Sequence, residues 1–371
     1  MERLRVLIVD DSAVTRRLVS DALSADGALE VVGTAPNGKI ALDKIGQLRP
    51  NAVTLDVEMP VMDGLEALGE IRKRWPRLPV IMFSTLTERG AETTLDALSM
   101  GASDYVTKPT GLGRLEEGLE AIRASLIPKL RALCGMADVT HSAPTRPIVQ
   151  STIPLPSRHA PVKILAIRVS TGGPQALEKI VPLLPGNFAV PVVIVQHMPK
   201  IFTRFLADRL SSHSQIRVRE CIPGSILRPG EAWIAPGDYH MTLKPLNDSI
   251  LLETNQGPPE NSCRPAVDAL FRSVAQVYGK STLALILTGM GSDGLRGCKA
   301  VREAGGQIFV QDEATSVVWG MPGAVAHAGL ADKMIPLEEV SQEICRCVEM
   351  NRLPAPVIAK ATDEEKPRAL P

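Results

Sequence analysis

Lys163-Ile-Leu-Ala-Ile-Arg-Val-Ser-Thr-Gly-Gly-Pro174 decides the fold of the carboxy-terminal half. Four apolar residues, Ile164 to Ile167, predict a buried strand, and Pro174 to Leu184 carries apolar residues at helical spacing. Ser170-Thr-Gly-Gly then lies on a strand-to-helix turn. A nucleophile would sit well there, because glycines at 172 and 173 let the backbone approach a reacting carbonyl and the amides of the helix start favour developing negative charge. The same four residues also read as a simple helix start without chemistry, so the rest of the chain must decide.

Working outward, strands are expected at 163–168 and 191–196, with helices at 174–184 and 201–211. Between Arg217 and Thr254 the short apolar runs around Gly224, Pro229-Gly230, Pro236-Gly237 and Asn247-Asp248 predict hairpins. Alternation then resumes with a helix from Pro265 to Tyr278, a strand from Leu283 to Thr288, a helix from Leu295 to Glu303 and a strand from Gln307 to Val310. The amino-terminal half alternates too, with strands at Arg5 to Val9, Leu29 to Val32, Ala52 to Leu55, Val80 to Phe83 and Asp104 to Val106. The expected fold class is α/β: two doubly wound parallel-sheet domains, the second with a β-hairpin insertion. Residues 1–125 form the first and 163–350 the second. Residues 126–162 supply a helix end and a linker holding Pro144, Pro147, Pro154, Pro156 and Pro161, and 351–371, with its Asp-Glu-Glu-Lys run, reads as a disordered tail.

At 371 residues and 44% hydrophobic, the chain can bury a sizeable core. Its charges balance, 41 basic against 41 acidic, which argues against broad attraction to nucleic acid or membrane. No apolar run is long enough to span a bilayer, and the start, Met-Glu-Arg-Leu-Arg-Val-Leu-Ile-Val-Asp, lacks a signal peptide's cleavage region, so a cytoplasmic, non-inserted protein is expected. The six cysteines are scattered, apart from Cys345-Arg-Cys347, and read as reduced thiols rather than a disulfide or zinc framework.

Two constellations carry chemistry. In the first, Asp10 and Asp11 end one strand, Asp56 a second, Ser84 a third, and Lys108-Pro109 a fourth, so the sheet topology gathers three carboxylates, a hydroxyl and an ammonium in one crevice. Crowded carboxylates repel unless a cation intervenes, and an all-oxygen set suits Mg²⁺, leaving Asp56 as a phosphoryl acceptor. In the second, Ser170, His197 and Asp293 stand at three strand ends, where the imidazole can act as base and the carboxylate can fix its tautomer.

Met59-Pro60, Asp63-Gly64 and Gly101-Ala-Ser-Asp-Tyr-Val-Thr-Lys-Pro109 complete the first pattern, and residues 1 to about 125 resemble the flavodoxin-like receiver domains of response regulators. The resemblance implies phosphorylation of Asp56 by a histidine kinase, with Asp10, Asp11, Asp56 and the Glu58 carbonyl around Mg²⁺. It also implies Lys108 on the phosphoryl oxygens, Ser84 and Tyr105 as movable switch residues, and room for a cis bond at Lys108-Pro109.

Ser170-Thr-Gly-Gly-Pro, Gln196-His-Met-Pro, Arg264-Pro-Ala-Val-Asp and Thr288-Gly-Met-Gly-Ser-Asp-Gly294 make residues 163 to about 350 resemble the chemotaxis protein-glutamate methylesterases, the CheB family. What this implies is a serine hydrolase without a cofactor of its own: Ser170 as nucleophile, His197 as base, Asp293 as its orienting carboxylate, and the Thr171 and Met290 amides as oxyanion donors. The implied substrates are methyl esters and glutamines on chemoreceptors.

This chain departs from the family pattern in having Arg168 where a glycine is usual and Cys263 where histidine is common. Cys263 is expected to lie outside the triad. Arg168 is expected at the cleft mouth or in the substrate's space, and the second outcome suggests an impaired, phosphorylation-dependent adaptor or phosphate sink. A small-molecule esterase lacks its Gly-x-Ser-x-Gly elbow here, and a nucleotide site lacks a lysine after the Ser-Thr-Gly-Gly loop.

Overall fold

The computed structural model describes residues 3–109, 115–135 and 160–350. Most of the proline-rich linker and the whole 351–371 tail lie outside the described residues. The first sheet and its helices run β1 (Leu4–Val9), α1 (Ala13–Ser24), β2 (Leu29–Ala35), α2 (Gly38–Leu48), β3 (Ala52–Asp56), α3 (Gly64–Arg74), β4 (Val80–Ser84), α4 (Glu88–Ser99), β5 (Asp104–Thr107) and α5 (Leu115–Leu133). The strands are parallel in the order β2-β1-β3-β4-β5. Helices cover both faces, which is why β3 and β4 are buried at every residue and read as continuous apolar runs rather than alternating ones.

Local chemistry fixes where the helices begin. Ser12 caps α1 by accepting from the Thr15 amide, and Asp63 and Glu66 form a reciprocal capping box on α3. Gly64 is required by contact: a Cβ there would stand 2.2 Å from the Asp56 carbonyl oxygen, so the start of α3 could not close on the end of β3. Lys108–Pro109 is not the cis bond expected of it; among the described residues Arg264–Pro265 is the one cis peptide.

The second unit comprises β6 (Ile164–Val169), α6 (Gly173–Ile180), β7 (Val192–Gln196), α7 (Lys200–His213), β8 (Arg217–Glu220), β9 (Glu231–Ile234), β10 (His240–Leu246), β11 (Ser249–Asn255), α8 (Val267–Tyr278), β12 (Thr282–Ile286), α9 (Leu295–Glu303), β13 (Gln307–Gln311), α10 (Gly320–His327), β14 (Lys333–Ile335) and α11 (Leu337–Met350). Seven parallel strands stand in the order β14-β13-β12-β6-β7-β9-β8. Strand order reverses between β6 and β12, the position at which doubly wound sheets open a crevice at their carboxyl ends.

The expected series of hairpins after Arg217 holds only at Asn247-Asp248, where β10 and β11 pair antiparallel. The other runs form β8 and β9, which extend the parallel sheet because Val218, Ala232, Trp233 and Ile234 are buried there. One apolar cluster spans both units, from Leu7 and Leu55 through Tyr105 to Phe202 and Ile167.

Candidate active site and phosphoacceptor site

Strand β6 delivers Ser170 to the crevice, and the turn beyond it tolerates only glycine. Gly172 has φ +76°, and a Cβ at Gly173 would meet Gln196 Oε1 at 2.0 Å. The Ser170 amide is anchored on the Thr288 carbonyl at the end of β12 (3.1 Å), and Gly173 N–H turns back to the Ser170 carbonyl (2.7 Å). Neither the Thr171 nor the Met290 amide donates to an acceptor among the described residues.

His197 follows β7 and is 16% exposed; its Nε2 lies 2.9 Å from Asp293 Oδ2. Asp293 is held by the start of α8: Val267 N–H donates to Oδ2 (2.8 Å) and Asp268 N–H to Oδ1 (3.3 Å), while Asn261 Nδ2 donates to Oδ1 (3.0 Å). A helix N-terminus is a favourable seat for a carboxylate. Burial pushes the Asp293 carboxyl up, but His197, Arg168 and the Val267 amide together hold it well below the usual carboxylate range. For His197, burial acts downward and is outweighed by the bonds to Asp293 and Cys263, which leaves the imidazole above its ordinary value.

Three findings depart from the sequence reading. No hydrogen bond joins Ser170 to His197 among the described residues; His197 Nδ1 faces Cys263 Sγ at 3.7 Å instead. Cys263, expected to lie outside the constellation, therefore touches it. Arg168 is neither at the cleft mouth nor in substrate space: its side chain is wholly buried, packed on Gly294 behind Asp293, where a Cβ would meet Arg168 Cδ at 2.8 Å. Burial pushes the guanidinium down to about 10, with Asp293 the first charge opposing the shift, so it remains a cation at neutral pH. None of its three nitrogens has a hydrogen-bond partner. β6 is still inside the sheet at 168, paired on both sides, and the strand ends only at Val169.

At the other sheet, Asp10, Asp11 and Asp56 bring one oxygen each within 4.8 Å of one another, beside a cavity of about 210 Å³ lined by Asp11, Asp56, Glu58, Thr85 and Lys108. Lys108 Nζ reaches Asp10 (2.9 Å) and Asp56 (2.8 Å). Burial, and then the Asp10 charge, push the Asp56 carboxyl up to about 6 against the pull of Lys108. An all-oxygen donor set with surplus negative charge fits Mg²⁺. The Glu58 side chain points elsewhere, to Arg89 at 3.5 Å, leaving its carbonyl as the group to offer. Ser84 is buried and its hydroxyl is engaged by α4: Thr94 Oγ1 donates to it (2.7 Å) and it donates to the Gly90 carbonyl (3.1 Å).

The two sites are joined by an interface. Thr171 Oγ1 donates to Asp104 Oδ2 on β5 (2.7 Å), and Lys129 on α5 holds the same oxygen (2.9 Å). Gln175 donates to the Ala102 carbonyl (2.6 Å), and Arg209 on α7 bridges Asp96 (2.6 Å), Ser99 (2.9 Å) and Glu178 (2.6 Å). A cavity of about 390 Å³ remains between them, with His197, Cys263 and Arg264 on one wall and Tyr105, Thr107 and Lys129 on the other.

No helix among the described residues is long and apolar enough to cross a membrane. The CheB methylesterase family profile matches residues 165–344 and the response regulator receiver domain profile matches residues 6–120. A protein-glutamate methylesterase/protein-glutamine glutaminase of Trichodesmium erythraeum (strain IMS101) is 52% identical over 93% of this chain and 99% of its own length. Proteins of the same name are 50% identical in Nocardioides sp. (95% of this chain, 97% of theirs) and, as enzyme 1, 43% identical in Paramagnetospirillum magneticum (93% and 96%). With receiver and esterase signatures in one chain and such identity along nearly its whole length, the protein belongs to the CheB family of protein-glutamate methylesterases/protein-glutamine glutaminases.

Proposed function

We propose that this chain is a cytoplasmic serine hydrolase, gated by phosphorylation, that removes methyl groups from glutamate side chains of chemoreceptors and deamidates their glutamines. The observation that carries the reading is the His197–Asp293 pair at 2.9 Å, set beside Ser170 at the crevice of the second sheet and covered by the first unit.

In this reading His197 takes the Ser170 proton as Oγ attacks the ester carbonyl, and the Thr171 and Met290 amides receive the oxyanion. The tetrahedral intermediate expels methoxide, which leaves as methanol with the proton held by His197. Water, deprotonated by the same imidazole, then releases the glutamate and restores Ser170. An amide follows the same route because protonated His197 can supply the departing ammonia with its proton. Asp293, pinned by three donors besides the ring, keeps the ring oriented throughout. Ser170 and His197 need to come together on substrate binding, as catalytic hydrogen bonds often do.

Asp56 is the proposed acceptor of a phosphoryl group from a histidine kinase. Asp10, Asp11, Asp56 and the Glu58 carbonyl would hold Mg²⁺, which when bound supplies positive charge for the phosphoryl oxygens. Lys108 steadies those oxygens, and Ser84 and Tyr105 change position in response. Asp104 occupies Thr171 in the covered state, so phosphorylation activates by shifting the population away from this docked arrangement. The test is methanol release from methylated receptor: Ser170→Ala should abolish it, and unimpaired release by that variant would overturn the reading.

A further inference from the structure

Asn261 and Ser262 are consecutive non-glycine residues with φ +50° and +60°. Glu260 and Cys263 close the turn around them with reciprocal backbone hydrogen bonds of 3.1 and 2.9 Å. Left-handed residues persist where their surroundings over-determine them, and asparagine tolerates the region better than serine. Both ends of the turn are tied to the catalytic frame. Glu260 accepts both Arg272 terminal nitrogens from α8 (2.9 and 2.6 Å), and Cys263 lies against His197.

The Asn261 amide has two protons and spends both on carboxylates. Nδ2 donates to Asp268 Oδ2 (2.9 Å) and to Asp293 Oδ1 (3.0 Å). Reversing the amide would set its oxygen against two acceptors, so the orientation is fixed. Asp268 is fully buried, and its other oxygen accepts from the Gly297 amide (2.7 Å). Asn261 thus links the orienting carboxylate of the reaction to a rigid second carboxylate on α8.

We propose that Asn261 is a positioning residue for the His197–Asp293 pair, fixing the rotation of the Asp293 carboxylate through Asp268. The proposal rests on the serine-esterase reading above. Other charged or titratable groups around the pair are Arg168 from β6, Asp268 and Arg272 from α8, Glu260 and Cys263 from the turn and Cys298 from α9. Against that fixed surround, losing the amide leaves more negative charge on Asp293 for the imidazole to feel. The imidazole then protonates more readily, and because catalysis needs it neutral, the acid limb of the rate profile moves to higher pH.

The experiment measures ester hydrolysis against pH in the full chain, activated with a small-molecule phosphodonor. Asn261→Gly suits the left-handed turn and removes only the amide; kcat should fall by about ten- to a hundredfold with KM nearly unchanged, and the acid limb should shift upward. Asn261→Asp also tolerates the turn and should be at least as impaired at neutral pH. Ser262→Gly, which relieves strain and removes no contact to the pair, should behave as the native protein. Native kcat and an unshifted limb in Asn261→Gly would overturn the proposal, as would equal loss in Ser262→Gly. Ser170→Ala runs alongside: activity there sinks the esterase reading itself, whereas an inactive Ser170→Ala with a native-like Asn261→Gly sinks only the role of Asn261.

Discussion

The rings of Tyr105 and Phe202 lie stacked, centroids 4.7 Å apart and 13° from parallel, so the proposed switch tyrosine is packed against helix α7 of the esterase unit. Tyr105 is almost wholly buried there, with Lys129 Nζ 5.1 Å from its ring centroid. An activated receiver that moves this ring must break the stack. Such a pair is worth about 0.5–1.5 kcal/mol beyond its buried area. Tyr105→Leu should therefore raise the unphosphorylated esterase rate by roughly two- to tenfold and narrow the gain on phosphorylation, as read from paired initial rates.

Arg209 gives the charged counterpart of that contact. It is 25% exposed and its partner Asp96 is 46% exposed, so solvent screens the pair and its worth is about 1 kcal/mol or less. Arg209→Ala should speed the unphosphorylated enzyme by no more than about fivefold. Asp96→Ala should speed it less, because Arg209 still holds Ser99 across the interface, and the double variant should gain little over Arg209→Ala. Equal rates in the phosphorylated state would place the effect on docking rather than on chemistry.

Ser170→Ala, His197→Ala and Asp293→Asn should each cost nearly the full catalytic effect, with combined variants adding little. Far-ultraviolet dichroism should show the fold retained in each. Independent tenfold losses that multiply would contradict a shared catalytic unit.

Much of this was legible because parallel strands covered on both faces must be apolar throughout, and their carboxyl ends must converge. That logic located Asp10, Asp56 and Lys108 together, and His197 beside Asp293. It failed where tertiary contact outweighs local pattern. Arg168 reads as a charged intruder near a cleft, yet β6 carries it into the sheet behind Asp293. Cys263 and Asn261 stand on a turn far along the chain from His197, and no periodicity brings them there; the only local signal was the nearby Arg264-Pro-Ala-Val-Asp segment. Strands β9 and β8, the last two on one side of the sheet, have the Gly/Pro punctuation of hairpins, and only docking of Val218 and Trp233 on the sheet decides between the two pairings.

Arg168 has a testable electrostatic role. Its buried charge opposes protonation of His197 and helps hold Asp293 ionised. Arg168→Met keeps much of the volume and removes the charge, so the acid limb of the esterase profile should move to higher pH. Arg168→Gly should instead destabilise the fold by about 3 kcal/mol or more, since it leaves a cavity and an unbalanced carboxylate, and a thermal melt reads this directly. The stability linkage has a definite sign. Folded His197 binds its proton more tightly than the unfolded residue does, so its contribution is complete below the ordinary value of 6.5 and is lost as pH rises through the folded value. Activity runs the other way, rising over that same interval as the imidazole becomes neutral.

The central claim, that the first unit covers an intact esterase and phosphorylation of Asp56 uncovers it, is tested most directly by initial rates of methanol release from methylated chemoreceptor. The full chain and its Asp56→Asn variant are compared with and without a small-molecule phosphodonor and Mg²⁺. The expected result is a low basal rate in both, a rise of tenfold or about that order with phosphodonor in the native chain alone, and none in Ser170→Ala under any condition. A native rate unchanged by phosphodonor despite stoichiometric labelling of Asp56, or activation that survives Asp56→Asn, would contradict it.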